Sequence, residues 1–145
     1  TGMAGGQAID LASVGLQLTE TQLRQMHRLK TGALLKASVM MGTACGQSSE
    51  QALTQLAVYA DALGLAFQVM DDVLDVTADS ATLGKTAGKD AANDKPTYVS
   101  LMGLDAARAL AMNLHSQALQ ALNSSGLQDT RALAALADQV VRRDH

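Results

Sequence analysis

Between Ser48 and Val76 the chain sets an apolar residue at every third or fourth position: Leu53, Leu56, Ala60, Leu63, Phe67, Met70 and Leu74. That spacing lines one face of an α-helix. Ser48 and Gln51 form a capping-box pair at its start, so the pattern predicts one helix over residues 49–76. At 1.5 Å per residue it is about 40 Å long. A compact domain of this size has a radius of gyration of about 15 Å. The helix must therefore cross the whole body and needs partners of comparable length, as in a helical bundle. Composition agrees. The 145 residues hold one Pro, no Trp, two Tyr and one Phe, and 48% are hydrophobic. A β-sandwich or barrel needs aromatic and β-branched runs with many turns. Disorder needs fewer apolar residues and more net charge than the −3 found here. The predicted class is all-α.

The remaining chain reads the same way. TGMAGGQAIDL, at the start, looks helical without a cap. Thr19 and Gln22 form a second capping box, and Leu23, Met26, Ala33, Leu34, Ala37 and Met41 predict a helix over about 20–44. Residues 77–96 are polar and broken by Gly84, Gly88 and Pro96. A connection of this length is usually functional or disordered. A short helix is expected over 97–102. Asp105 then caps a helix with Leu110, Leu114, Ala118 and Ala121 inward, ending at Asn123–Gly126. Asp129 caps the last, with Leu133, Leu136, Ala137 and Val140 inward, ending at Arg142 and Arg143. No internal repeat or second domain is visible. The 11 basic residues are scattered, which gives no nucleic-acid stripe. No 18-residue apolar run suggests a membrane span, and no signal peptide is evident. Cys45 is the sole cysteine; it is expected to be buried, forms no internal disulfide, and is compatible with a cytoplasmic setting.

The chemistry concentrates at Gln68-x-x-Asp71-Asp72-x-x-Asp75. On a helix Asp71 and Asp75 share a face, with Asp72 beside them and Gln68 one turn earlier. Three neighbouring carboxylates repel one another, and the negative end of the helix dipole opposes them further. A hard cation such as Mg²⁺, bound through carboxylates and substrate phosphates, would offset this; so would plain solvation of an acidic helix end. Lys85, Lys89 and Lys95 follow in the loop. They are suited to a polyanion such as a diphosphate, or to a solvated flap of balanced charge. Lys30, in His27-x-x-Lys30-Thr31, interrupts an apolar stretch. Its side chain either snorkels to solvent or points at a ligand. His27 by itself reads as an ordinary surface or hydrogen-bonded histidine.

GGQAIDL (5–11), HRLKTGALLKASV (27–39), GLAFQVMDDVLDV (64–76) and LGKTAGKDAANDKPTY (83–98) together resemble the C-terminal half of a trans-prenyl diphosphate synthase, nearest the bacterial farnesyl diphosphate synthase type. The resemblance covers nearly the whole chain in the right order. It implies the C-terminal half of an antiparallel helical bundle around a central cavity, in a cytoplasmic homodimer. It also implies condensation of an allylic diphosphate with isopentenyl diphosphate. Asp71 would ligate Mg²⁺, with Asp72 and Asp75 supporting the metal or its waters. Lys30, Thr31 and Gln68 would contact the allylic substrate, Lys85 and Lys95 its diphosphate, and Phe67 would lie near isopentenyl diphosphate. Lys30, Asp71 and Lys85 would be the catalytic set. Val99 stands where the family commonly has Pro. The family's first aspartate-rich motif has no counterpart in these residues, so they are expected to be inactive by themselves. Geranyl, geranylgeranyl or longer products are the alternatives within the enzyme class. A noncatalytic helical subunit that regulates such an enzyme is the alternative outside it, disfavoured because the acids and lysines are retained.

Overall fold

The computed structural model describes residues 2–77 and 95–143, and these residues are all-helical. The helices are α1 (Gly2–Ala12), α2 (Glu20–His27), α3 (Ala33–Ala44), α4 (Glu50–Thr77), α5 (Tyr98–Met102), α6 (Leu104–Ser124) and α7 (Arg131–Arg142). Most of the predicted loop lies outside the described residues, and with it Lys85 and Lys89.

α4 is the axis. Leu56, Tyr59, Ala60, Leu63, Ala66, Val69, Met70 and Val73 are buried along it. By length and hydropathy it could cross a membrane, but 56% of its apolar stretch is buried in the fold, as suits a core helix. Its start differs by one residue from expectation. The Ser49 hydroxyl, not that of Ser48, accepts from the Ala52 N–H at 3.1 Å. Gln51 instead donates to the carbonyl of Ser124, at the end of α6 (2.7 Å). At the other end of α4, Asp72 accepts from the backbone N–H of Tyr98, just ahead of α6. The two long helices are therefore antiparallel. Their contact is close because α6 offers mainly small residues: Ala107, Ala111, Ala118 and Ala121 are buried beside Leu114, with Leu110 half-buried at the margin.

Helices α2 and α3 form the predicted 20–44 rod, begun by the Thr19–Gln22 capping box. Between them a π-helical turn, Arg28–Gly32, replaces α geometry. A π turn holds more residues than an α turn, so beyond it the inward face moves on in sequence. Leu35, Val39 and Thr43 point inward, whereas the expected Leu34, Ala37 and Met41 are exposed. Cys45, at the end of α3, is exposed rather than buried.

Two more expectations shift. Gly103, with φ +87°, makes the turn into α6, so Asp105 lies in its first turn and does not cap it. Asp129 does accept from the Arg131 N–H (3.0 Å), although Thr130 occupies the cap position. In α7, Ala137 and Val140 are buried, but Leu136 is 44% exposed. The Tyr59 hydroxyl donates to the Leu133 carbonyl at 2.8 Å. This bond lays α7 along α4 in the same direction and delivers Arg143 to the far end of the bundle.

Candidate functional site

The last turns of α4, the π turn, the end of α1 and residues 95–97 enclose a cavity of about 320 Å³. Lys30, Thr31, Phe67, Gln68, Asp71, Asp72 and Lys95 all line it. These seven candidates from the sequence thus meet in one place. Asp75, one turn beyond Asp71, is half-buried and not part of that wall. Lys85 lies outside the described residues.

Lys30 reaches the cavity because α1 packs tightly on the π turn. A Cβ on Gly6 would fall inside the backbone of Lys30, and one on Gly64 of α4 would lie 3.1 Å from the Gly32 Cα. Glycine at these crossings lets three helices approach where side chains would hold them apart. The Lys30 ammonium is bonded to Asp10 Oδ2 at 2.7 Å. Asp10 is buried, with only 6% of its surface exposed. A carboxylate there keeps a cation at the cavity wall, so Lys30 does not snorkel to bulk solvent.

The two adjacent aspartates have different settings. Asp72 is buried, and its Oδ2 accepts from the Tyr98 N–H at 2.7 Å. This bond satisfies one of the N–H groups that the start of short α5 leaves open. Asp71 is 45% exposed at its side chain. It accepts from Gln68 Nε2 at 3.2 Å and from the Arg143 guanidinium. Arg143 also donates to the Phe67 carbonyl (2.9 Å) and lies 4.0 Å over the Phe67 ring centroid, a cation–π geometry. Gln68 in turn accepts from His27 through Oε1 at 3.0 Å, and the His27 imidazole stacks on Tyr98 at 5.8 Å. Burial pushes the Tyr98 hydroxyl up to about 12.

Among the described residues, no three His, Cys, Asp or Glu side chains come together as a cage for a metal ion. Asp71, Asp72 and Asp75 are thus not gathered into such a cage here. The donor set still fits Mg²⁺, which commonly takes one or two carboxylates and completes its shell with water and phosphate oxygens. Asp71 already draws a cationic group, the Arg143 guanidinium. Asp10, His27, Tyr98 and Arg143 have structural parts in the site that the sequence reading did not assign. Asp10 lies within the GGQAIDL segment and His27 three residues before Lys30. Nothing in the local pattern marked Arg143.

Residues 1–137 match the family model described as polyprenyl synthetase. The chain is 47% identical over 146 residues to farnesyl diphosphate synthase of Escherichia coli, covering 99% of this chain and 49% of that protein. It is 40% identical over 147 residues to the large subunit 1 of a heterodimeric geranylgeranyl pyrophosphate synthase of Arabidopsis thaliana, covering 99% and 40%. Among solved structures, geranyltransferase from Helicobacter pylori, complexed with magnesium and isoprenyl diphosphate, superposes with a TM-score of 0.72 at 33% identity. That match covers 97% of this chain and 44% of that one. The chain thus spans about half the length of the curated relatives it matches.

Proposed function

The chain belongs to the polyprenyl synthetase family, and from that premise we propose that it forms the allylic-diphosphate side of a Mg²⁺-dependent prenyltransferase. The observation that carries this reading is the gathering of Lys30, Lys95, Thr31, Gln68 and Asp71 around one cavity. Cations from two separate segments face that space and suit a diphosphate. The α4 carboxylates, Asp71 foremost, would hold Mg²⁺, which when bound neutralises charge on the departing diphosphate. Lys30 and Lys95 bind and orient that group, and Lys30 is kept in place by Asp10. Lys85 is proposed for the same work on the resemblance alone. Met26 and Phe67 supply apolar wall, which limits the water able to trap a cationic centre.

In the reaction, the allylic C–O bond breaks and its electron pair leaves with diphosphate. The double bond of isopentenyl diphosphate attacks the allylic carbon, and the adduct gives up a proton to the departed diphosphate, which leaves the new double bond. Farnesyl diphosphate is the proposed product. The 47% identity to a farnesyl synthase against 40% to a geranylgeranyl one favours it. A homodimer in the cytoplasm is proposed from the same resemblance.

The test is made in the full-length synthase that contains these residues. With Mg²⁺, geranyl diphosphate and isopentenyl diphosphate, chromatography should show farnesyl diphosphate; longer chains would overturn the product assignment. Asp71→Ala should lower kcat by roughly 10²–10³, the scale seen when a group that stabilises developing charge is removed. Near-normal turnover would overturn its role.

A further inference from the structure

We propose that His27 is a positioning residue that sets both adjacent carboxylates, Asp71 through the Gln68 amide and Asp72 through Tyr98. This rests on the reading of Asp71 as a metal-holding group. His27 is buried, 6% exposed, and Gln68 is 8% exposed. His27 Nδ1 lies 3.0 Å from Gln68 Oε1. An amide oxygen only accepts, so Nδ1 carries the proton and donates. That bond decides which way the amide faces. With Oε1 committed to His27, Nε2 is turned to Asp71 Oδ2 at 3.2 Å. Turned over, the amide would set its oxygen against the part-buried Asp71 carboxylate, a repulsive pair, and would require the other tautomer of the buried His27 ring.

The other side of the imidazole acts on Asp72. The His27 and Tyr98 rings stack with centroids 5.8 Å apart and planes 25° from parallel. Tyr98 is fully buried, and its own backbone N–H holds Asp72 Oδ2 at 2.7 Å. One side chain on the π-turn boundary therefore touches the supports of both carboxylates. Outer groups of this kind fix the direction of a ligand, and their loss commonly costs 10–100-fold in metal affinity.

The test uses Mn²⁺ as the probe, its free signal read by electron paramagnetic resonance, on the full-length synthase with inorganic pyrophosphate present. His27→Phe keeps a ring against Tyr98 and removes the donor. It should weaken Mn²⁺ binding about tenfold. His27→Asn places an amide N–H where Nδ1 was but takes the ring off Tyr98, so it should recover only part of the loss, whereas His27→Gln, which supplies neither the ring nor a donor at the Nδ1 position, should bind most weakly. If the Phe variant does not fold, the Asn and Gln variants make the same comparison. Equal Mn²⁺ affinity in the wild type, Phe and Gln variants, with Asp71→Ala weakened, would overturn the role of His27 and leave the metal reading standing. An Asp71→Ala protein that binds Mn²⁺ as the wild type does would overturn the metal reading itself.

Discussion

Tyr59 and Tyr98 are the two tyrosines of the sequence, and both are fully buried. Burial pushes each hydroxyl from 10.0 up to about 12. The unfolded chain therefore releases these protons before the folded one. Their contribution to stability is complete below pH 10 and is lost as pH rises toward about 12. An absorbance titration of the 145 residues should show phenolate appearing late and together with loss of helical circular dichroism; a simple titration at pH 10 with the helices intact would contradict their burial. At this scale the sequence was informative where side chains announce their chemistry in a row. Asp71, Gln68 and Lys30 stand out because an α-helix resists neighbouring acids and a lysine interrupts an apolar stretch. Asp10, His27 and Arg143 were not legible as site residues. Their partners lie 20, 41 and 72 positions away, and local periodicity carries no information about such distances.

Among the elements, the π turn decides the most. It was invisible in the sequence because Arg-Leu-Lys-Thr-Gly, even with Thr31 and Gly32 low in helix propensity, carries no pattern that separates a π turn from an α turn; α1 packs directly on it. Two neighbouring glycines of α1 separate that packing from helix propensity. Gly5 has open space at its Cβ position, while a Cβ on Gly6 would meet the Lys30 backbone. Gly5→Ala should stabilise by about 0.5–1 kcal/mol through helix propensity. Gly6→Ala should destabilise by about 1–3 kcal/mol through overpacking. Denaturant melts of the two variants check this, and effects of the same sign would contradict the close approach of α1. By contrast, the α4 stripe and the Thr19–Gln22 cap were plain in the sequence, since both rest on interactions three or four residues apart.

For the molecule as a whole, helix class and the extent of each long helix followed from periodicity, but which faces remain open did not. Met3, Leu11, Leu16, Leu34 and Met41 are all more than half exposed. These lie on or beside α1 and α3; on α6, which shares the core with α4 and α7, Met112 alone of the large apolar side chains is also more than half exposed (52%). A ligand that bridges the cavity walls should stabilise the folded state. At one hundred times its Kd, Mg²⁺-pyrophosphate is expected to add about 2.7 kcal/mol, which is several degrees in Tm. Lys95→Ala should reduce the shift; an unchanged shift would place the anion elsewhere. The bonds that shape the cavity close loops of 20, 26, 41 and 72 residues. Closing such loops costs entropy that their contacts must repay. The cavity is complete only where all four distant pairings are made at once, so its capacity to bind is a gauge of how much of a preparation is native.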